Sequence, residues 1–199
     1  MKLTPLIFKA INRAAFLHQN QKRKVPNYLP YISHCFAVAW ILSDYTDDEE
    51  VIAAGILHDV LEDVPAYGPE RLKQEFGERV AGIVKEDSDD KDPNNPVEPE
   101  GAAAWTDRKK RYLANLKTVS QAALLVCAAD KMHNLQSILD AYKEEGDAIW
   151  KNFNAPREKV LWPYEEVLKI AKDKLQSPII SELEKVYRLA EKEFGYGGR

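Results

Sequence analysis

The sequence has few cysteines and no long hydrophobic run. Its two cysteines, Cys35 and Cys127, lie far apart in apolar stretches, which favours reduced core thiols over a disulfide. The longest uninterrupted apolar run, residues 122–129, is far shorter than the roughly 18 residues that a membrane helix needs. Pro5, Lys9 and Arg13 interrupt any signal-peptide core at the start. We therefore expect a cytoplasmic protein without a membrane-spanning segment.

Acidic residues are absent from the first 43 positions. Those positions carry six basic residues and a charge of +6, so the remaining residues carry −10 and the whole chain −4. A basic front suggests a nucleic-acid arm or a transit peptide. The positive charges are sparse, however, and belong to an acidic chain, which is a weak footprint for nucleic-acid binding. We expect no nucleic-acid partner and interpret residues 5–17 as a structural helix.

Glycine and proline are also sparse, with 9 and 11 residues among 199, which argues against a collagenous or disordered chain. Apolar residues recur at helical spacing almost everywhere, and no alternating pattern of useful length predicts a strand. The sequence therefore predicts an all-α fold of about eight to ten helices in a single domain. The predicted helices are 5–17, 30–43, 49–63, a short one from Pro69, 78–85, 106–116, 120–145, 156–175 and 178–194, with a loop over 88–104 and a kink at Pro163.

Four ionisable residues share one edge of the predicted helix 49–63. One helical turn places Glu62 over His58 and Asp63 over Asp59. Burying these groups without partners would cost several kcal/mol by the usual burial arithmetic, so solvent or a cation must compensate for them. A bound metal ion would do this well.

Further metal ligands must come from isolated polar residues inside other apolar helices. His34 and Asp130 are such residues, and Asp130 ends the apolar run 122–129 in the middle of a predicted helix. A carboxylate has poor local reasons to stand there. Two imidazoles and two carboxylates form a nitrogen and oxygen site that suits Mn²⁺, Fe²⁺ or Zn²⁺ rather than a thiolate-type zinc.

The ordered set of motifs resembles the HD-domain metal-dependent phosphohydrolases. Within that family it is most similar to the hydrolase domain of stringent-response alarmone enzymes and to the small alarmone hydrolases. The resemblance covers about residues 10–140 and is far more specific than one His-Asp pair. The segments that carry it are 18–24, 30–34, 58–63, 88–91 and 129–135, and residues 146–165 look like a C-terminal extension of bacterial members.

The resemblance implies a single HD-type domain over 1–199, with 146–199 as a helical extension, and Mn²⁺-dependent hydrolysis of the 3′-diphosphate of (p)ppGpp or (p)ppApp. It implies that Glu62 and Asp63 position and deprotonate the attacking water. A carboxylate one turn from a metal ligand suits that role chemically. Carried over residue by residue, the metal ligands are His34, His58, Asp59 and Asp130, and the substrate contacts are Arg23, Lys24, Lys91, Asn134 and Trp162.

Two departures from the family pattern bear on the substrate. Gln136 stands where members commonly carry arginine, and Trp162 stands where some relatives have a tyrosine with a substrate role. Guanine and adenine substrates therefore both remain open, and the oligomeric state is not readable from the sequence. The alternatives are an HD-type phosphohydrolase acting on a nucleoside monophosphate and a non-catalytic metal and nucleotide-binding module.

Other polar residues have less specific interpretations. His18 and His133 are expected to be structural or to support the metal ligands. The basic cluster 108–111 is interpreted as a solvated helix face or, alternatively, as a source of phosphate contacts.

Overall fold

The computed structural model describes residues 2–25, 29–64, 66–89, 102–153 and 155–195. Within these ranges the chain forms eleven α-helices and one 3₁₀ helix, and the only β pairing is an isolated antiparallel bridge between Lys22 and Pro30. The helices are α1 (Pro5–Leu17), α2 (Ile32–Leu42), α3 (Glu49–Leu57), α4 (Val60–Asp63), α5 (Pro69–Phe76), α6 (Glu78–Asp87), α7 (Ala102–Leu116), α8 (Gln121–Glu145), the 3₁₀ helix Gly146–Asn152, α9 (Arg157–Val160), α10 (Trp162–Lys174) and α11 (Ile179–Glu193).

The predicted all-α fold is confirmed. In the described residues, nine of the α-helices have eight residues or more, and only α4 and α9 have four. Most of the predicted loop 88–104 lies outside the described residues, and so does Lys91.

Local sequence signals determine where several helices begin and end. The Thr4 side chain accepts a hydrogen bond from the backbone N–H of Ile7, and Pro5 occupies the first turn of α1. Ser120 caps α8 in the same way, and Gly146, with φ of 60°, follows its last turn. These pairings satisfy backbone groups that a helix end would otherwise leave without partners.

Two predicted helices are interrupted. The predicted helix 49–63 breaks at His58 and Asp59, which separate α3 from α4. The predicted helix 156–175 breaks at Leu161, and Pro163 stands in the first turn of α10 instead of kinking a continuous helix. A proline is favoured there because the first turn has no intrahelical use for the missing N–H.

Helix α8 is the centre of the molecule and packs against α2, α3, α6, α10 and α11. Residues 123–129 of its apolar run are buried, because these helices enclose that part of α8. Cys35 and Cys127 are both buried free thiols, and burial raises the pKa of each to about 12. No helix in the described ranges is long and apolar enough to span a membrane.

We expect Leu139→Ala to lower the free energy of unfolding by about 2–5 kcal/mol, because a buried leucine is replaced by a cavity. Leu139 is fully buried in α8. Urea denaturation measures the change. Glu144→Ala, at an exposed position of the same helix, is the control and should shift stability by less than about 0.5 kcal/mol. Equal effects of the two substitutions would contradict the central role of α8.

Candidate metal centre and active site

Four predicted metal ligands from three parts of the chain converge on one point. His34 comes from α2, His58 and Asp59 from the break between α3 and α4, and Asp130 from α8. Nε2 of His34 lies 3.2 Å from Nε2 of His58 and 3.1 Å from Oδ1 of Asp130. Oδ2 of Asp59 lies 2.8 Å from Nε2 of His58 and 3.5 Å from Nε2 of His34. The donor atoms of His34, His58 and Asp59 all lie within 4.8 Å of one another, around a shared space. Asp130 borders this group through the two histidines, with Oδ1 also 3.7 Å from Nε2 of His58.

Hydrogen bonds on the far side of each imidazole direct Nε2 towards that space. Nδ1 of His58 lies 2.9 Å from the carbonyl oxygen of Gly55, which can only accept, so Nδ1 carries a proton and Nε2 faces the carboxylates. Burial lowers the pKa of His58, but Asp59 and Asp130 outweigh burial and hold it well above its usual range, so a metal ion at Nε2 would replace a proton there. Nδ1 of His34 lies 2.7 Å from Nδ1 of His133. Burial and the neighbouring His34 lower the pKa of His133 to about 4, so His133 is a neutral hydrogen-bond partner of His34. This is the supporting role expected for His133, and in both histidines of the group Nε2 is the ring nitrogen that faces the shared space.

The two oxygens of Asp130 have different partners. The Lys131 ammonium pairs with Oδ2, while Oδ1 faces His34 and accepts from the Asn134 amide. Burial raises the pKa of the Asp130 carboxyl, but Lys131 and His34 outweigh burial and hold it well below its usual range. Asp130 is therefore ionised, as a metal ligand must be. The donor set of two imidazoles and two carboxylates fits a divalent cation.

Glu62 and Asp63 lie one turn beyond this group, as predicted. The break at His58 and Asp59 preserves that spacing because the N–H of Asp63 still donates to the carbonyl of Asp59, at 2.9 Å. Burial and the negative charge of Asp59 raise the pKa of Glu62 to about 7. The same two causes raise the pKa of Asp63, although its side chain is exposed. Both carboxylates border the metal-ligand group.

A cleft of about 320 Å³ opens over these residues, within the usual size range of small-molecule sites. Its lining includes the carboxylates Asp59, Glu62 and Asp63. It also includes a set of apolar and aromatic residues: Val25, Ile138, Phe153, Ala155, Val160, Pro163 and Tyr164. Several of those apolar residues belong to the 146–199 segment, so the C-terminal helices form part of the cleft wall.

The predicted substrate contacts Arg23, Lys24 and Asn134 all line the cleft. Nη2 of Arg23 donates to Oδ1 of Asn134 at 2.8 Å. The buried guanidinium of Arg23 also lies over the ring of Tyr31, 5.6 Å from its centroid. Lys24 is exposed at the rim. Arg23 and Asn134 are therefore fixed by contacts within the protein, whereas Lys24 presents an exposed point charge.

Trp162 does not line the cleft, which differs from the contact that the sequence predicted for it. Its ring packs edge-on against Trp105, with centroids 6.4 Å apart, and Trp105 is the tryptophan on the cleft wall. Two positions further on, Tyr164 lines the cleft. Because α10 begins at Trp162, its first turn rotates Tyr164 to another face than Trp162. Tyr164 could not be predicted from the spacing along the chain, because its orientation depends on where α10 begins.

Tyr31 is a further residue of the site, and the sequence did not predict it. Its hydroxyl donates to Oδ2 of Asp59 at 2.5 Å, and burial together with Asp59 raises its pKa strongly. A tyrosine between a proline and an apolar helix has no local signal for this contact. The bond is made only because α2 packs beside the break between α3 and α4.

Each of the two interpretations of the basic cluster 108–111 fits half of its residues. Arg108 and Lys109 line the cleft and pair with the buried Asp89, at 3.8 Å and 2.6 Å. Lys110 and Arg111 are exposed. The cluster thus supplies two cations to the cleft and two to a solvated helix face.

Comparison with known proteins agrees with this geometry. The HD domain family matches residues 10–161. The chain belongs to the HD-domain family. The predicted resemblance and the predicted enzyme class, an HD-type phosphohydrolase, are therefore confirmed, and an HD domain implies a divalent metal ion.

Relatives of this HD-domain chain cover most of its length. The guanosine-3′,5′-bis(diphosphate) 3′-pyrophosphohydrolase MESH1 of Xenopus tropicalis is 37% identical over 135 residues, which are 67% of this chain and 69% of that protein. The guanosine-3′,5′-bis(diphosphate) 3′-pyrophosphohydrolase of Haemophilus influenzae is 37% identical over 109 residues, 55% of this chain and 15% of that protein. A solved metazoan orthologue of SpoT, which hydrolyses ppGpp, superposes with a TM-score of 0.75 at 27% identity, over 95% of this chain and 97% of that one.

We expect Mn²⁺ to raise the melting temperature of the wild-type protein, because a ligand that binds only the folded state stabilises it by about 2.7 kcal/mol at 100 times its Kd. Asp130→Ala should abolish this increment and the metal content measured by elemental analysis. Asp140→Ala, at an exposed carboxylate of the same helix, should keep both. Retention of one metal ion per chain by Asp130→Ala would remove Asp130 from the ligand set.

Proposed function

We propose that this protein hydrolyses the 3′-diphosphate of an alarmone nucleotide, (p)ppGpp or (p)ppApp, and releases pyrophosphate. The observation that supports the proposal most directly is the metal-ligand group beside Glu62 and Asp63 in a nucleotide-sized cleft. The relatives named as 3′-pyrophosphohydrolases of guanosine-3′,5′-bis(diphosphate) supply the substrate class. We propose Mn²⁺ as the metal, with Fe²⁺ or Zn²⁺ as alternatives that the same donor set accepts.

His34, His58, Asp59 and Asp130 would hold the metal. When bound, a divalent cation supplies Lewis acidity to phosphoryl oxygens and to water. The chain's own contribution is orientation: Gly55 and His133 hold the two imidazoles, and Tyr31 holds Asp59. The ligands are thus set before a substrate arrives, which reduces reorganisation during the reaction.

Glu62 would act as the general base. Its pKa of about 7 lets it take a proton from water near neutral pH. The oxygen of that water attacks the phosphorus that is attached to the 3′ oxygen of the ribose. The bond between that phosphorus and the 3′ oxygen then breaks. Pyrophosphate leaves, and the ribose retains its 3′ oxygen as a hydroxyl. Asp63, at the exposed edge of the same turn, would orient the water.

Arg23, Lys24 and Asn134 would bind the rest of the nucleotide. Arg23 presents a planar guanidinium that can stack on a purine base, and Lys24 supplies a charge for phosphate. Asn134 would face the ribose. Tyr164 and the apolar residues around it would cover the base, which gives the 146–199 extension a direct role within a single domain over 1–199. The substrate contacts of Lys91 and Trp162 stay predictions.

The two buried free thiols support a cytoplasmic location, where cysteines stay reduced.

A substrate panel tests the reaction. Purified protein with Mn²⁺ should release pyrophosphate from (p)ppGpp or (p)ppApp, and little phosphate from nucleoside monophosphates. Parallel reactions with Fe²⁺, Zn²⁺ and Mg²⁺ identify the preferred ion. Phosphate release from a monophosphate, with no pyrophosphate from either alarmone, would overturn the assignment in favour of another HD-type phosphohydrolase.

Replacing the proposed general base, Glu62, should separate catalysis from metal binding. We expect Glu62→Gln to retain the metal and to lower kcat by about 10²–10⁴-fold, the usual contribution of a general base. In the wild type, kcat should rise with pH as Glu62 loses its proton, with a midpoint at or below about 7 because a nearby cation lowers the pKa of Glu62. Glu62→Gln should remove this rise.

The control is Glu70→Gln, which alters an exposed carboxylate in the first turn of α5 and should change neither kcat nor metal content. Loss of metal from Glu62→Gln would show that Glu62 is a ligand instead.

A further inference from the structure

Asp63 is connected to a buried histidine by a chain of hydrogen bonds. Nε2 of Gln21 donates to Oδ2 of Asp63 at 2.7 Å, and Oε1 of Gln21 lies 2.7 Å from Nδ1 of His18. Asp63 determines the orientation of the Gln21 side-chain amide, because an ionised carboxylate can only accept a hydrogen bond and the NH₂ group must therefore face it. Oε1 therefore faces His18, and Nδ1 of His18 must carry the proton that it donates.

The surroundings of His18 support the same tautomer. The His18 side chain is only 1% exposed, and its ring packs on Tyr31 with centroids 5.1 Å apart. Nε2 is buried and has no hydrogen-bond partner in the described residues. A proton on Nε2 would be a buried donor without an acceptor, which is costly, whereas a bare nitrogen there is tolerated more easily.

The backbone of Gln21 is restrained as well. Its N–H donates to the carbonyl of His18 at 3.0 Å, and its carbonyl accepts from the N–H of Tyr31 at 2.9 Å. Both hydrogen bonds lie beside the bridge between Lys22 and Pro30. These hydrogen bonds and the bridge thus hold Gln21 next to Asp63 and Tyr31 next to Asp59.

We propose that Gln21, oriented by His18, is a positioning residue that fixes the Asp63 carboxylate at the edge of the cleft. Asp63 is exposed and sits on the last residue of a four-residue helix, so its own helix restrains it weakly. With Oδ2 bound to Gln21, the rotation of the carboxylate is restricted where Asp63 lines the cleft. The proposal rests on the proposed function, in which Asp63 orients the attacking water.

Gln21→Met keeps the length of the side chain and removes both hydrogen bonds. We expect kcat to fall roughly tenfold, the order lost with one hydrogen bond to a charged group, while KM, metal content and melting temperature stay within error. Gln19→Met, at an exposed position two residues earlier, is the matched control and should leave kcat unchanged. An unchanged kcat in Gln21→Met, or a fall that the Gln19→Met control reproduces, would overturn the proposal.

Two substitutions at His18 test whether His18 acts on Asp63 through Gln21. Asn presents its NH₂ group near the position of Nδ1, so His18→Asn should retain most of the wild-type kcat. His18→Leu lacks the donor and should lose about as much as Gln21→Met. The double variant His18→Leu with Gln21→Met should be no slower than Gln21→Met alone, because residues that act through one another are not additive. Additive losses would show that His18 acts only through packing.

The tautomer gives a readout that does not depend on activity. Long-range ¹H–¹⁵N spectra of the wild-type protein should show His18 as the neutral Nδ1–H tautomer, and Gln21→Met should perturb the Nδ1 shift. If wild-type His18 carries its proton on Nε2, the positioning proposal fails whatever the substrate. If the tautomer is as expected but no alarmone is cleaved, the hydrogen-bonded chain stands and the proposed function fails.

Discussion

Three buried ionisable side chains and one partly buried carboxylate meet between α2, α8 and the break that separates α3 from α4, and the rest of the site is organised around their compensation. His34, His58 and Asp130 occupy positions that an apolar core would otherwise fill, and Asp59 lies partly buried beside them. Two carboxylates in such surroundings would be strongly destabilising without cationic partners. The imidazoles and Lys131 provide part of the compensation, and an HD-domain metal would complete it. The central position of α8, which carries Asp130, couples this requirement to the packing of the whole chain.

Orientation is supplied by a surrounding layer of hydrogen bonds. Gly55 and His133 direct the two imidazoles, and Tyr31 holds Asp59. A donor atom held this way needs little rearrangement when a ligand binds, which is the physical basis of preorganisation. Gly55 also lies where α2 and α3 approach closely, since a Cβ there would come within 2.2 Å of Leu42. Its carbonyl reaches His58 within that tight packing.

The two neighbouring carboxylates differ from the ligands in their electrostatics. His34 and Lys131 hold the pKa of Asp130 low, whereas Glu62 faces other acids and has a pKa near neutrality. Groups of one chemical type thus differ in their readiness to hold a proton because their neighbours differ, which suits Asp130 to the proposed role of a ligand and Glu62 to that of a base. The lining of the cleft combines these carboxylates with apolar residues of the C-terminal segment.

Sequence by itself determined the helical fold and the four residues that converge, because helical periodicity is local and a buried carboxylate such as Asp130 is conspicuous in an apolar run. It did not locate the break at His58 and Asp59, and it chose Trp162 where Tyr164 lines the cleft. Those features, like the contacts of Tyr31 and Gln21, depend on how separate helices approach one another. Hydrogen bonds between residues 28, 42 or 99 positions apart leave no local pattern, so only the tertiary structure decided which side chains orient the site.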